Sequence, residues 1–485
     1  MQAWAAAEMA GAQVWDQRCV RSLTRICERL GARTGVSFST ACGHAGRQAA
    51  HRIFTHASTT VPGLLHGHVA QTLHRLQSLG AEGEAAAATE PLLVAQDTTV
   101  LNYQTHYATT GLGPIHHASS AARGLLAHAA LALTPAGLPL GVLHLDIWAR
   151  DPAMHGPKGT RPRNRPTAAK ESQKWLDGLH GIEAALPSTQ HVVVLADREA
   201  DVFDYLAAPR RPRTQLIVRA QRPRRIRLSP GVTRSPPTEG DLFTAAAVAP
   251  VLGELTVTIP RARGQAEREA ILELRCVRLW VMPPGERRLC QKGKEPVAVW
   301  VVHARERTGS ASAANEAGQA PEEPPVEWYL LCTQPVEEAA AAARMVQYYA
   351  CRWRIERLHL VLKSGLQVER LQCDAAQTLR HALALCYVVA WRLLWLTYLA
   401  RAAPDAPAAS FCTPVEQAVL TAAVRRPVGT RRDVVRAIAQ LGGFPGHPAA
   451  GEPGVKTLWL GLRQLEAMVQ GWQLAQQHYE DTRQD

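Results

Sequence analysis

The chain has 485 residues, 46% of them hydrophobic, enough for a large core or for two to three domains. Its 54 Lys and Arg against 42 Asp and Glu give a formal charge of +12, which points to a polyanionic partner, nucleic acid before membrane. The opening "MQAWAAAEMA" lacks the basic start and apolar stretch of a secretory signal, no run reads as a membrane span, and the ten cysteines include no C-x-x-C pair, so neither a zinc site nor a disulfide framework is expected and reduced cytoplasmic thiols are.

Residues 1 to about 70 read as short helices rich in Arg and His. In "WDQRCVRSLTRICERLGA", Val20, Leu23, Ile26 and Leu30 recur at helical spacing, with Arg21, Arg25 and Arg29 on another face. "AGRQAAHRIF" follows with Arg47 and Arg52. A solvated helix face accounts for these bases as well as a binding surface does.

From about residue 90 the pattern becomes strand-like. "PLLVAQDTT" is a short apolar run ending at Asp97, and "RGLLAHAALALT" and "LPLGVLHLDIWA" are two more, joined by the turn "PAG". A basic Pro/Gly loop, "DPAMHGPKGTRPRNRP", precedes the helical pattern "AAKESQKWLDGLHGIEAAL" and then "HVVVLADREADVFDYL", a buried strand, a turn and a helix. The expected core is α/β. Between about 209 and 333 the signal is β-rich, through "TQLIVRA", "GELTVTI", "AILELRCVRLWVM", "VAVWVVHA" and "WYLLCT", with "LSPGVTRSPPTEG" and "ERTGSASAANEAGQAPEEPPVE" as loops, the second expected to be mobile. This block reads as a β insertion in the α/β core. After Val336 the chain turns helical to about 401, and the linker "APDAPAAS" leads to C-terminal helices.

The stretch "YYACRWRIERLHLVLKSG" carries the chemistry. At about 100° per residue on one helix, Ile355, Leu358 and Leu362 form an apolar stripe beside a polar one of Tyr349, Arg352, Glu356 and Lys363. Arg352 can grip a phosphate with two hydrogen bonds, and Lys363 and Tyr349 can each reach one. Glu356 facing the same phosphate is repelled unless a cation lies between. Asp97 and Asp197 each end a buried strand, where a carboxylate is costly unless solvated, paired or metal-bound; for Asp197 alone a helix cap is the simpler reading. Two Asp and one Glu supply hard oxygen ligands that suit two Mg²⁺ ions, which could activate water and steady a leaving oxygen in phosphodiester cleavage.

These blocks resemble the DDE transposases of bacterial insertion sequences that carry the Y-R-E-K motif, the group that includes the transposase of bacterial transposon five. Tyr349, Arg352, Glu356 and Lys363 match the motif in spacing. "QDTTVLNY" is similar to the first catalytic block, "ADREADVFDYL" to the second and "CRWRIERLHLVLKSG" to the third. "VEWYLLCTQPV" and "AIAQLGGFPG" with "LWLGLRQLEAM" extend the likeness over nearly the whole chain.

The resemblance implies an RNase H-like catalytic core over 71–373, interrupted by the β-rich insertion at about 209–333. A helical end-binding region (1–70) and a helical dimerisation region (374–485) would flank it. It implies a metal-binding triad of Asp97, Asp197 and Glu356 with two Mg²⁺ ions per site, Mn²⁺ substituting. Arg52 matches a basic position of the end-recognition segment and Arg219 one near the active site. Trp328 matches the aromatic residue on which a flipped base stacks during hairpin formation; otherwise it reads as a core aromatic. The expected partners are double-stranded transposon-end DNA, target DNA and a second copy in a synaptic homodimer, with no membrane and a nucleoid-associated cytoplasmic location. Leu360 stands where a relative has a second basic residue, so one phosphate contact is absent or supplied by Arg354, Arg357 or the loop after Arg219. The alternatives are a catalytically silent DNA-binding inhibitor of transposition and a metal nuclease that cuts without joining.

Overall fold

The computed structural model describes residues 3–82, 90–116, 121–152, 166–229, 240–259, 268–284, 293–307, 325–447 and 450–484. Four helices, α1 (Ala3–Met9), α2 (Gln17–Ala32), α3 (Phe38–Thr55) and α4 (Val61–Glu82), precede the strands β1 (Leu92–Asn102), β2 (Gly113–Pro114), β3 (Arg123–Leu133) and β4 (Pro139–Trp148). Then come α5 (Gln173–Ala185), β5 (Val192–Ala196), α6 (Phe203–Leu206), β6 (Thr214–Arg219), β7 (Ile226–Arg227), α7 (Leu242–Ala247), β8 (Val251–Ile259), β9 (Arg268–Val281), β10 (Val297–Glu306) and β11 (Glu327–Cys332). The chain closes with α8 (Ala339–Cys351), α9 (Trp353–Leu360), α10 (Ala376–Ala402), α11 (Pro414–Val424), α12 (Arg431–Leu441) and α13 (Val455–Gln484). Most of the basic loop after β4 and of the long loop after β10 lies outside the described residues.

Two compact units divide the chain: the first is Met1–Glu90, Asp97–Arg161 and Trp353–Asp485, the second Pro91–Gln96 and Pro162–Arg352. In the first, α2 forms where the heptad-like spacing places it. Leu23, Ile26, Cys27 and Leu30 are buried, and Asp16 caps the helix by accepting the Arg18 N–H at 2.8 Å. A buried polar network ties this helical start to the strands. Glu8 accepts from His68 Nδ1 and from Arg75, each at 2.5 Å, while His68 Nε2 accepts the Val142 N–H at 2.9 Å. Both ring nitrogens are thus spoken for by a neutral imidazole. Burial pushes the Glu8 carboxyl up, but His68 and Arg75 outweigh it and hold it below its usual range; burial also keeps His68 below its own. Trp391 of α10 covers the network, its ring centre 4.8 Å from that of His68 and 4.1 Å from the Arg75 guanidinium, and its Nε1 donates to Pro139.

Strand β3 is buried along almost its whole length and pairs antiparallel with β4. Its Gly124 allows a close approach to β1, since a Cβ there would meet the Leu101 carbonyl oxygen at 1.9 Å. Helix α10 departs from expectation: by length and apolarity it could cross a membrane, although 83% of its most apolar window is buried inside the protein. Arg380, His381 and Arg392 break up the run in sequence, and the packing of α10 against α2, α3, α4 and β4 marks it as a core helix. Helices α12 and α13 meet at Gly461, where a Cβ would lie 1.7 Å from the Ile438 carbonyl oxygen.

In the second unit the β1 residues Leu92–Ala95 pair in parallel with β5, and β5 with β6. Buried on both faces, β5 reads "VVVLA", an unbroken apolar run. Strand β11 then pairs antiparallel with β6, β10 with β11 and β9 with β10, while β8 and β7 both pair with β9. The first and last runs of the β-rich segment, β6 and β11, therefore join directly to the parallel strands, with β7 to β10 beyond them. Helix α8 packs across β8, β9, β10 and β11, burying Ala342, Met345, Val346 and Tyr349.

Candidate active site

The stretch 348–365 is not one helix, as its periodicity predicts. Helix α8 ends at Cys351, Arg352 forms its C-cap, α9 runs from Trp353 to Leu360, and Val361–Gly365 forms a π-helical turn. The apolar stripe is as expected, with Ile355, Leu358 and Leu362 fully buried. The polar stripe is not one surface: Tyr349 and Arg352 are buried, Lys363 is half-buried and Glu356 is exposed.

In the second unit, Asp197 follows β5 directly and caps the next turn, its Oδ1 accepting the Glu199 N–H at 2.9 Å. The cap expected of it is present. Burial nevertheless pushes its pKa up, against the pull of the Glu199 N–H and of the Arg352 and Lys174 cations. Lys174, itself buried, pairs with Glu199 at 3.1 Å. Tyr349 packs between the guanidiniums of Arg352 and Arg219: burial raises its pKa and the two cations pull it back. Its hydroxyl makes no hydrogen bond of ordinary geometry. Trp328 lies with its ring centre 5.4 Å from that of Tyr349, edge to face, and Arg219 donates to the Glu327 carbonyl at 3.1 Å. Asp197, Tyr349, Arg352, Arg219 and Trp328 thus share one neighbourhood.

In the first unit, Asp97 Oδ1 accepts the Thr98 N–H at 2.8 Å, and its Oδ2 lies 3.6 Å from His359 Nδ1. Burial, with Lys363 adding to it, drives His359 down to about 3, so the ring is neutral and the contact is not an ion pair. Tyr387 backs the site edge-on to His359 at 6.3 Å, its hydroxyl raised by burial and by Asp97. Glu356 occupies the exposed side of α9, three residues before His359. Lys363 borders a cavity of about 240 Å³ with Ser364, Gln367, Glu369 and Arg370. Leu360, where a relative carries a base, is exposed. Arg52 projects from the last turn of α3, exposed as a DNA contact must be.

Sequence reasoning missed His359, Lys174 and Asp201. The histidine signalled itself only as a polar residue on an apolar stripe. Asp201, in "READ", is buried and accepts from the Gln221 and Arg222 N–H groups and from Arg224 Nε at 2.5 Å. It pins the Arg-rich loop that follows Arg219.

Residues 165–390 match the family described as transposase DDE domain. Residues 1–59 match the family described as transposase DNA-binding. Together these indicate a DNA-binding transposase with a DDE-type catalytic domain. Residues 388–482 match the transposase Tn5 dimerisation domain, which narrows the likeness to the Tn5 type and indicates homodimer formation.

DDE domains generally work with divalent metal ions. Among the described residues no three His, Cys, Asp or Glu side chains are grouped so as to hold one by themselves. The donor chemistry fits all the same: Asp197 is a desolvated carboxylate that a cation would relieve, and hard oxygens suit a hard divalent ion.

Proposed function

We propose that the chain is a cut-and-paste transposase: it binds transposon-end DNA, cleaves it through a hairpin and joins the 3′ ends to target DNA. Its core is RNase H-like, spans 71–373 and carries the β-rich insertion, between an end-binding region at 1–70 and a dimerisation region at 374–485. The observation that carries this reading is the cluster in the second unit. A desolvated acid, Asp197, faces Arg352 and is joined by Tyr349, Arg219 and Trp328. Guanidiniums grip a phosphodiester, and an indole offers a stacking face to an extruded base.

Asp97, Asp197 and Glu356 would hold two divalent ions, Mg²⁺ with Mn²⁺ substituting. Support comes from the parallel pairing, in which Ala95 and Leu195 are register partners, two residues before Asp97 within β1 and two before Asp197 just past the end of β5. When bound, the ions supply acidity to an attacking water or 3′ hydroxyl and offset charge on the leaving oxygen. Arg352, Lys363 and Tyr349 orient the scissile phosphate, and Arg219 neutralises the adjoining strand. Trp328 stacks the flipped base while the hairpin forms. His359 lies beside Asp97 at 3.6 Å. Arg52 contacts the end sequence, the partner copy completes a synaptic complex, and the protein works on the nucleoid in the cytoplasm.

A cleavage assay with end-bearing duplex and Mg²⁺ tests this. Wild-type protein nicks and joins the ends. Glu356→Gln retains binding, and its cleavage falls by more than the roughly 10–100-fold that loss of a metal's outer partners costs. Full cleavage by Glu356→Gln refutes the triad. Wild-type protein that binds ends and never cuts them is the inhibitor of transposition instead.

A further inference from the structure

A cavity of about 640 Å³ in the first unit is walled by α2, α10, α11 and α13, and Trp4 of α1 also lines it. That volume falls within the roughly 300–1,000 Å³ of small-molecule sites. Arg392 of α10 lines it in an unusual state. Its guanidinium carbon lies 4.5 Å from the ring centre of Trp395 and 5.6 Å from that of Trp4. Its side chain makes no hydrogen bond or ion pair to a described residue. Burial pulls its pKa down to about 9, although Glu8 opposes the shift. Indoles cover the flat faces of the guanidinium, and its edge carries five N–H donors fixed in a fork.

The other charges that line the cavity are Arg25, Arg29 and Arg33 against Glu28, Glu416 and Glu466. Much of the acidic side is already engaged. Glu416 accepts from the Thr413 N–H at 2.7 Å in the capping box of α11, and Glu466 accepts from Gln470 at 2.7 Å. Glu28 is partly desolvated, and burial raises its carboxyl. Of the arginines, Arg29 donates to the Cys42 carbonyl at 2.5 Å, Arg25 lies close enough to Glu28 to pull its carboxyl down, and the Arg33 N–H caps α2 on the Arg29 carbonyl while its guanidinium makes no hydrogen bond to a described residue. Four arginines thus line the cavity against three carboxylates, a net excess of one cation. The N-terminal turn of α11 contributes wall and no free N–H pair, because Glu416 occupies it.

We propose that this cavity binds a small free oxyanion of the diphosphate or nucleoside polyphosphate class, held edge-on by Arg392 and closed over by Arg25 and Arg33. A concave site of this size favours a compact ligand over duplex DNA, whose phosphates lie on a convex rod. The ligand bridges α2, within the matched DNA-binding segment, and α13, within the matched dimerisation segment. Its occupancy would stiffen the link between them.

The test is calorimetric titration of the full-length protein with sodium pyrophosphate at pH 7. One ion binds per chain, and Arg392→Met, which keeps an apolar stem between the indoles, weakens it by about tenfold or more, as loss of a charge-assisted bidentate contact should. Because half-buried Arg392 packs against two indoles, exposed Arg25→Gln and half-buried Arg33→Gln serve as second variants. Each lowers affinity about threefold, the size of a single peripheral charge, with the thermal midpoint of the free protein unchanged. Absence of binding heat overturns the proposal, as does affinity indifferent to all three substitutions. Stoichiometric displacement of pyrophosphate by a short duplex also overturns it and assigns the arginines to DNA.

Discussion

In the first unit, buried Glu8 and His68 and half-buried Arg75 form one network whose hydrogen bonds run from 2.5 to 3.4 Å. In the second unit, Asp197, Tyr349, Arg352 and Arg219 are crowded to a similar degree, yet the acid is pushed toward its neutral form and a phenol hydroxyl is left without a good partner. The difference separates a satisfied polar network from one whose groups resist their own burial. A satisfied network lowers the energy of the free protein, whereas an unsatisfied one stores electrostatic potential that a phosphate and a cation release.

If that contrast is right, cutting the satisfied network costs the most stability. Glu8→Ala leaves His68 and Arg75 without their shared acceptor, and urea unfolding should show a loss of about 3–5 kcal/mol, the usual result of breaking a buried pair. A loss below about 1 kcal/mol would place Glu8 with exposed ion pairs instead.

Acid should attack the same network next. In the folded protein both His68 and Glu8 sit below their ordinary values of 6.5 and 4.5. The unfolded chain therefore takes up protons first, and the stability these groups contribute, complete above pH 6.5, declines as pH falls. His68 gives way first below 6.5, and Glu8 below 4.5. Unfolding midpoints measured from pH 7 to 4 should fall in wild type and fall less in His68→Gln. Equal slopes would assign the acid sensitivity elsewhere.

The smallest effect sharpens the contrast most. Tyr349→Phe removes a buried hydroxyl that lacks a good partner, so stability should stay within about 0.5 kcal/mol or rise. Cleavage should still drop about tenfold, since one phosphate contact is lost. A destabilisation like that of Glu8→Ala would mean that the two clusters are built alike.

The end of β5 was legible as an apolar run closed by Asp197, whereas β1 does not end at Asp97 as its sequence suggests but continues to Asn102, and Ile355, Leu358 and Leu362 gave away the buried side of α9 and the turn after it. The break at Arg352 was not, because nothing in "ACRWR" forbids a helix; only packing at either side of that residue decides it. Nothing in the sequence marked Glu8 as buried, since its partners lie 60 and 67 residues away. Burial of Arg352 and Tyr349 escaped notice for the same reason: periodicity reports which residues share a face, not what covers it. Asp97, Asp197 and Glu356 stood out in the sequence as candidate ligands, while His359 beside Asp97 and Lys174 near Asp197 could be found only in three dimensions.

Helix α10 has a consequence for how the chain is made. It leaves the ribosome as an apolar segment of 27 residues before α11, α12 and α13 exist. Of its neighbours, α2, α3, α4 and β4 are already synthesised, while α12 and α13 arrive later. At about 5–20 residues per second, the wait for the last 83 residues is of the order of 4–17 seconds. During that time one side of α10 can dock on the earlier helices and the other stays bare, open to chaperones or to a neighbouring nascent chain.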